Sequence, residues 1–132
     1  LTERLGAAVL AEQDSLGRIR AMVRVLFDYA EQEPLGWALL LRHLDKPEVG
    51  APLRELRDRL GASFADLLLA HRLAVNEQRA RLLVPLLYGS LFSLVSWWLE
   101  HPGTPRSRAE AIAVEFVWLG LDRVRSGERL PP

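Results

Sequence analysis

The sequence predicts an all-α domain of about six helices, and three observations carry that reading. Apolar residues recur at three- and four-residue spacing through most of the chain, which is the period of one helix face. No stretch alternates apolar and polar residues, as a half-buried strand would. Roughly the last fifty residues form two segments that are apolar on more than one face, joined at His101-Pro102-Gly103-Thr104-Pro105. A helix on the rim of a small monomer needs one apolar stripe. These two have more than that, so they need a second surface to bury. The simplest source is another copy of the chain.

The segments follow in order. The first runs from about Leu1 to Gln13 and is weakly patterned by Leu1, Leu5, Val9 and Leu10. Asp14-Ser15 breaks it and supplies a cap for the second. The second, about Leu16 to Gln32, places Leu16, Ile19, Val23, Phe27 and Ala30 on one stripe, widened by Met22, Leu26 and Tyr29. Pro34 opens the third at a first-turn position, where its missing N–H costs nothing. Trp37, Leu40, Leu41 and Leu44 then share a face, and residues 45–50 read as a loop. Pro52 opens the fourth, which runs to about Leu73 with Leu53, Leu56, Leu60, Phe64, Leu67, Leu68 and His71 on one side. Asn76 caps the fifth.

The fifth segment, about Gln78 to Glu100, has one face of Ala80, Val84, Leu87, Tyr88, Leu91, Val95 and Trp98. Leu83, Leu86, Leu94 and Trp97 make another, with Gly89, Ser93 and Ser96 as a small-residue stripe between them. Pro85 lies inside the pattern and is expected to kink the helix or end its first turn. The sixth, about Arg106 to Arg125, places Ala109, Ile112, Ala113, Phe116, Val117 and Gly120 on one face and Val114, Trp118 and Leu121 on another. Ser126-Gly127 ends it, which sets the domain at residues 1–126 and a tail at 127–132. The expected dimer interface is Leu86, Gly89, Ser93, Ser96, Trp97, Val114, Trp118 and Leu121.

Length and composition bound the function. The 132 residues suffice for one domain with one core. Lys+Arg and Asp+Glu are equal at 17 each, so the formal net charge is zero. A nucleic-acid-binding module normally carries a basic excess on one face. There is no cysteine, which excludes disulfides, thiolate metal sites and thiol catalysis. From Leu82 to Leu99 no residue is charged, which reaches the lower length limit for a membrane span. Pro85, Gly89 and three serines interrupt the run and the rest of the chain is amphipathic, so no membrane span is expected. No signal-peptide pattern opens the chain, and it begins at Leu1 inside a helix-like pattern. The expectation is a piece of a longer protein.

Catalytic motifs are missing: the sequence has no phosphate loop, no Gly-x-Ser-x-Gly elbow and no His-Glu-x-x-His. His43, His71 and His101 fall on separate segments, which gives no metal-ligand spacing, and no cofactor is expected. His71 shares a face with Phe64, Leu67 and Leu68. It reads either as a hydrogen-bonded core histidine or as a polar group orienting a ligand in an apolar cavity. The expected ligand lining is Phe27, Trp37, Phe64, Leu68, His71, Tyr88 and Phe92, bulky or polar-tipped groups on inward-leaning faces.

Together these patterns resemble the C-terminal effector-binding and dimerisation domain of TetR-family transcriptional regulators. The residues carrying the resemblance are Leu16-Gly17-Arg18-Ile19-Arg20 and Tyr29-Ala30-Glu31-Gln32-Glu33-Pro34 at the two ends of the second segment. Tyr88-Gly89-Ser90-Leu91, Trp97 through Gly103, and Phe116-Val117-Trp118-Leu119-Gly120-Leu121 complete them. The resemblance implies a cytoplasmic homodimer whose last two helices pair with their twofold mates as a four-helix bundle. It also implies a small apolar or aromatic effector in a cavity, and a repressor that binds DNA only through an N-terminal helix-turn-helix domain not found in this chain. The alternative is a helical protein-interaction module with a filled core and no small-molecule ligand.

Overall fold

The computed structural model describes residues 3, 4, 7, 14–42, 58, 59, 61, 62, 64–66, 68, 69, 76–125, 130 and 131. Among them the helices are α1 (Ser15–Gln32), α2 (Pro34–Arg42), α3 (Glu77–Glu100) and α4 (Arg106–Arg125), and no residue is in a strand. Phe64 and Leu68 lie on helical backbone between α2 and α3. The expected loop at 45–50, His43, the side chains of Leu40 and Leu41, and the end of α4 at Ser126-Gly127 lie outside the described residues.

The described helix ends have local reasons. Asp14 is extended and its carboxylate accepts the Gly17 N–H, which relieves one of the orphan donors of the first turn. At the other end the Glu33 N–H donates to the Tyr29 carbonyl at 2.7 Å, and Pro34 starts α2 immediately. Asn76 caps α3, its side chain accepting the Arg79 N–H at 2.8 Å, and Glu77 places a negative charge in that first turn, where the helix dipole favours it.

Helix α3 runs unbroken through Pro85, so the expectation that this proline ends the first turn is corrected. Pro85 and Arg81, four residues before it, are both exposed. The Arg81 carbonyl that loses its partner can therefore be hydrated, which reduces the cost of an internal proline.

The α3–α4 turn is held from both sides. The His101 N–H donates to the Trp98 carbonyl and the Thr104 N–H to the His101 carbonyl, both at 3.0 Å. The Trp98 indole N–H crosses the turn to the Thr104 carbonyl at 3.0 Å.

Packing centres on α1, which touches α2, α3 and α4, while α3 and α4 pack on each other. Ile19, Met22, Val23, Leu26, Phe27 and Ala30 form its buried stripe, the stripe predicted from spacing. The core face of α4 is Ala109, Ala113, Val117 and Leu121, one residue per turn. Two alanines in that row let the helix backbone approach closely.

One polar cluster ties this packing together. Arg106, at the start of α4, donates from Nη2 to Asp28, from Nη1 to Glu31 at 3.1 Å and from Nε to Glu110 at 2.8 Å. Its Nη2 also reaches the Arg24 carbonyl, and the guanidinium lies 5.9 Å from the Phe27 ring centre. Partial burial opposes the charge, but the hydrogen bonds it donates to Asp28, Glu110 and Glu31 outweigh that and push the guanidinium pKa further above its ordinary value. The cluster pins the first turn of α4 to the second half of α1. Arg106→Met removes its hydrogen bonds and keeps most of the volume. Because the carboxylates are partly solvated, the expected loss is about 1–2 kcal/mol in urea unfolding. An unchanged urea midpoint would show the cluster to be a surface ornament.

Candidate functional site: an aromatic core and an uncovered apolar face

Six of the seven residues expected to line a ligand site come together. Phe27, Trp37, Phe64, Leu68 and Phe92 are buried in one cluster and Tyr88 packs half-buried against it. His71 lies outside the described residues. The centre is Trp37, delivered by α2 onto α3. Its indole stacks on Phe92 with ring centres 4.6 Å apart and planes 10° apart. Tyr88 meets Phe92 edge-on at 5.4 Å, and Tyr29 leans on Trp37 at 6.4 Å. Phe27 packs against Trp98 at 5.2 Å. Offset and edge-on aromatic pairs of this kind add about 0.5–1.5 kcal/mol each beyond area burial.

A buried indole N–H needs an acceptor. Trp37 Nε1 donates to Ser96 Oγ at 2.9 Å, and Ser96 Oγ donates on to the Phe92 carbonyl at 2.8 Å. This corrects the reading of Ser96 as a small residue for close helix approach. It is a polar pin between α2 and α3, half-buried on the protomer's inner side. Sequence spacing gives no sign of it, because its partner is 59 residues away. Among the described residues the cluster consists of packed rings and one satisfied hydrogen-bond relay.

The opposite side of α3 is apolar and uncovered by the described residues. Leu82, Leu86 and Trp97 are exposed, Leu86 to 67% and Trp97 to 46%, with exposed Gly89 and Ser93 between them. A Cβ added to Gly89 would meet nothing within 4 Å. Trp97 is stacked on His101 at 4.0 Å. On α4, Ile112, Phe116 and Leu119 are exposed to 55%, 67% and 49%. Of the residues expected at an interface, Leu86, Gly89, Ser93 and Trp97 lie on this face. Leu121 is only 4% exposed, so it belongs to the protomer's own core and has no area left to offer. Val114 and Trp118 are half-buried on the other flank of α4, facing α1 across a groove.

Ile112, Phe116 and Leu119 were the exposed residues that spacing did not isolate. Helix α3 is also long and apolar enough to cross a membrane, by length and composition. In the fold it carries Ala80, Val84, Leu87, Leu91, Phe92 and Val95 into the protein core.

Among the described residues the chain is all-helical, with an aromatic cluster on one side of α3 and an exposed apolar row on the other. Residues 16–120 match the family model described as "Tetracyclin repressor-like, C-terminal domain", and the chain belongs to that family. The chain is 25% identical over 121 residues to the HTH-type transcriptional activator FasR of Mycolicibacterium smegmatis. That match covers 89% of this chain and 54% of the relative, so the chain spans about half the length of the curated relative it matches. The family is one of transcriptional regulators, and this chain is its regulatory domain and not an enzyme.

Proposed function

We propose that the chain is the sensor and dimerisation half of a cytoplasmic TetR-like transcriptional regulator. It binds a small apolar or aromatic effector and passes the binding event to a helix-turn-helix domain outside this sequence. The observation that carries the reading is the position of α3. One side of it holds the Trp37–Phe92–Tyr88 rings and the other is the bare Leu86–Trp97 face. A ligand that separates the rings therefore acts on the helix that a second protomer would grip. The effector shifts the regulator only by its differential affinity for two arrangements of the dimer.

The dimer proposed here is twofold, through α3 and α4. Its contact face is Leu82, Leu86, Gly89, Ser93, Trp97, Ile112, Phe116 and Leu119, and a stable interface of this kind buries at least about 1,200 Å² in total. A second copy, and not lipid, is the proposed cover for α3. Sedimentation of the chain at micromolar concentration tests the assembly: a dimer is expected, and a clean monomer would overturn it.

The effector is tested by thermal shift with a panel of neutral aromatic compounds, repeated on Phe92→Leu. Stabilisation that is lost in the variant is the expected result. No shift from any compound favours the alternative, an interaction module with a filled core. The family description carries the word repressor and the relative's name the word activator; we place this chain with a repressor. A reporter driven by the regulator's own operator tests that sign, with derepression on adding effector as the expected result.

The chain by itself is expected to show no sequence-selective DNA binding, because its formal net charge is zero and affinity for nucleic acid rests on phosphate neutralisation. Fluorescence anisotropy with labelled operator duplex at moderate salt checks this. Tight, selective binding by the chain alone would refute it.

A further inference from the structure

A second groove, separate from the aromatic core, runs between α1 and α4. Its volume is about 580 Å³, with Leu16, Arg20 and Arg24 on the α1 side and Val114, Glu115 and Trp118 among its α4 residues. That size is within the range of small-molecule sites, which are mostly apolar with a few placed polar groups. The floor is apolar, made by Val114 and half-buried Trp118 with Ala111.

The charges along the groove are unevenly matched. Arg20 and Arg24 are exposed, one helical turn apart on the same wall, and neither guanidinium has a hydrogen-bond or ion-pair partner among the described residues. Like charges at this spacing destabilise a helix slightly. Asp28, Glu31 and Glu110, the last of which also lines the groove, all bind Arg106. Glu115 stands on the opposite wall, beside Leu119. The groove therefore has on one wall two cations without a partner among the described residues, an aromatic residue in its lining, and Glu115 and the Arg106-bound Glu110 on the α4 side. An anion entering it is drawn to the α1 wall and repelled from the α4 rim, which fixes its orientation.

We propose that this groove binds a planar aromatic carboxylate. The carboxylate lies against Arg20 and Arg24, whose planar forks suit bidentate pairing, and the ring system covers Trp118. This site is distinct from the effector site in the core and does not depend on it.

The test is calorimetric titration of the chain with 2-naphthoate and with its neutral analogue 2-naphthalenemethanol. The carboxylate is expected to bind at least about fivefold more tightly than the alcohol. The double variant Arg20→Gln/Arg24→Gln should reduce naphthoate to the level of the alcohol while leaving the melting temperature of the free chain in place. Trp118→Leu should weaken both compounds. Equal affinity for the two compounds, no binding of either, or naphthoate affinity retained in the double variant would each overturn the proposal. Phe92→Leu separates the two sites: naphthoate binding that falls with this variant but not with the arginines belongs to the core and sinks the groove, whatever the core's own neutral ligands do.

Discussion

Trp37→Ala is expected to destabilise the chain by about 3–5 kcal/mol, the range for truncating a large buried aromatic. Trp37 is only 2% exposed. Its loss removes the stack on Phe92, the contact with Tyr29 and the hydrogen bond to Ser96 at once. A domain of this size is stable by only about 5–15 kcal/mol, so the variant loses a large part of the total. Two milder changes divide the effect. Trp37→Phe keeps a ring against Phe92 and loses the N–H, leaving Ser96 Oγ bound to the Phe92 carbonyl; about 1–2 kcal/mol is expected from the smaller ring and the lost bond. Ser96→Ala leaves the indole N–H buried without its acceptor, which costs about 1–3 kcal/mol. Urea unfolding followed by circular dichroism, at one protein concentration because a dimer's stability depends on it, gives the order. A Trp37→Ala loss below about 1 kcal/mol would show that α2 is not anchored through this ring.

Among the described residues this anchor joins α2 to α3 through one aromatic stack and one hydrogen bond.

The local grammar of the chain was legible in its sequence. Asp14 and Asn76 were readable as caps because their short polar side chains reach back to the first-turn N–H groups. The buried stripe of α1 was readable because polar residues on its other faces fix the phase. Phe27, Trp37, Phe64, Leu68, Tyr88 and Phe92 were readable as one group because they lie on apolar faces, and they pack into one cluster.

Helix α4 shows where this stops. Alanines 109 and 113, Ile112, Phe116, Val114 and Trp118 all look apolar on a helical wheel, so hydrophobicity alone cannot choose among the phases. The packing chose the alanines for the interior and left Ile112 and Phe116 outside. Close approach of backbones needs small side chains. The Arg106 cluster was illegible for a different reason. Glu110 is four residues away and visible as a helix pair, but Asp28 and Glu31 are 78 and 75 residues away. The Trp37–Ser96 pair has the same character. Long-range polar contacts leave no local spacing to read.

A charge at the centre of the exposed α3–α4 face should have the largest effect on assembly. In Phe116→Glu the new carboxylate appears twice in a twofold dimer, each copy near the axis-related surface. Burying it without a cation costs several kcal/mol per ion. A rise in the dimer dissociation constant of at least about a hundredfold is expected, equivalent to about 2.7 kcal/mol. Leu86→Glu on α3 should act the same way, since Leu86 belongs to the proposed contact face. Both residues are two-thirds exposed within the protomer, so neither change disturbs the core, and the monomers should keep their helical circular dichroism. Leu35→Glu supplies the control. Leu35 is more exposed still, at 82%, but stands on α2, off the proposed face, and its variant should remain dimeric. Sedimentation velocity across a concentration series separates the outcomes. If Phe116→Glu and Leu86→Glu leave the dimer intact while Leu35→Glu breaks it, the chain assembles through α2, and the bare stripe of α3 and α4 needs a different partner.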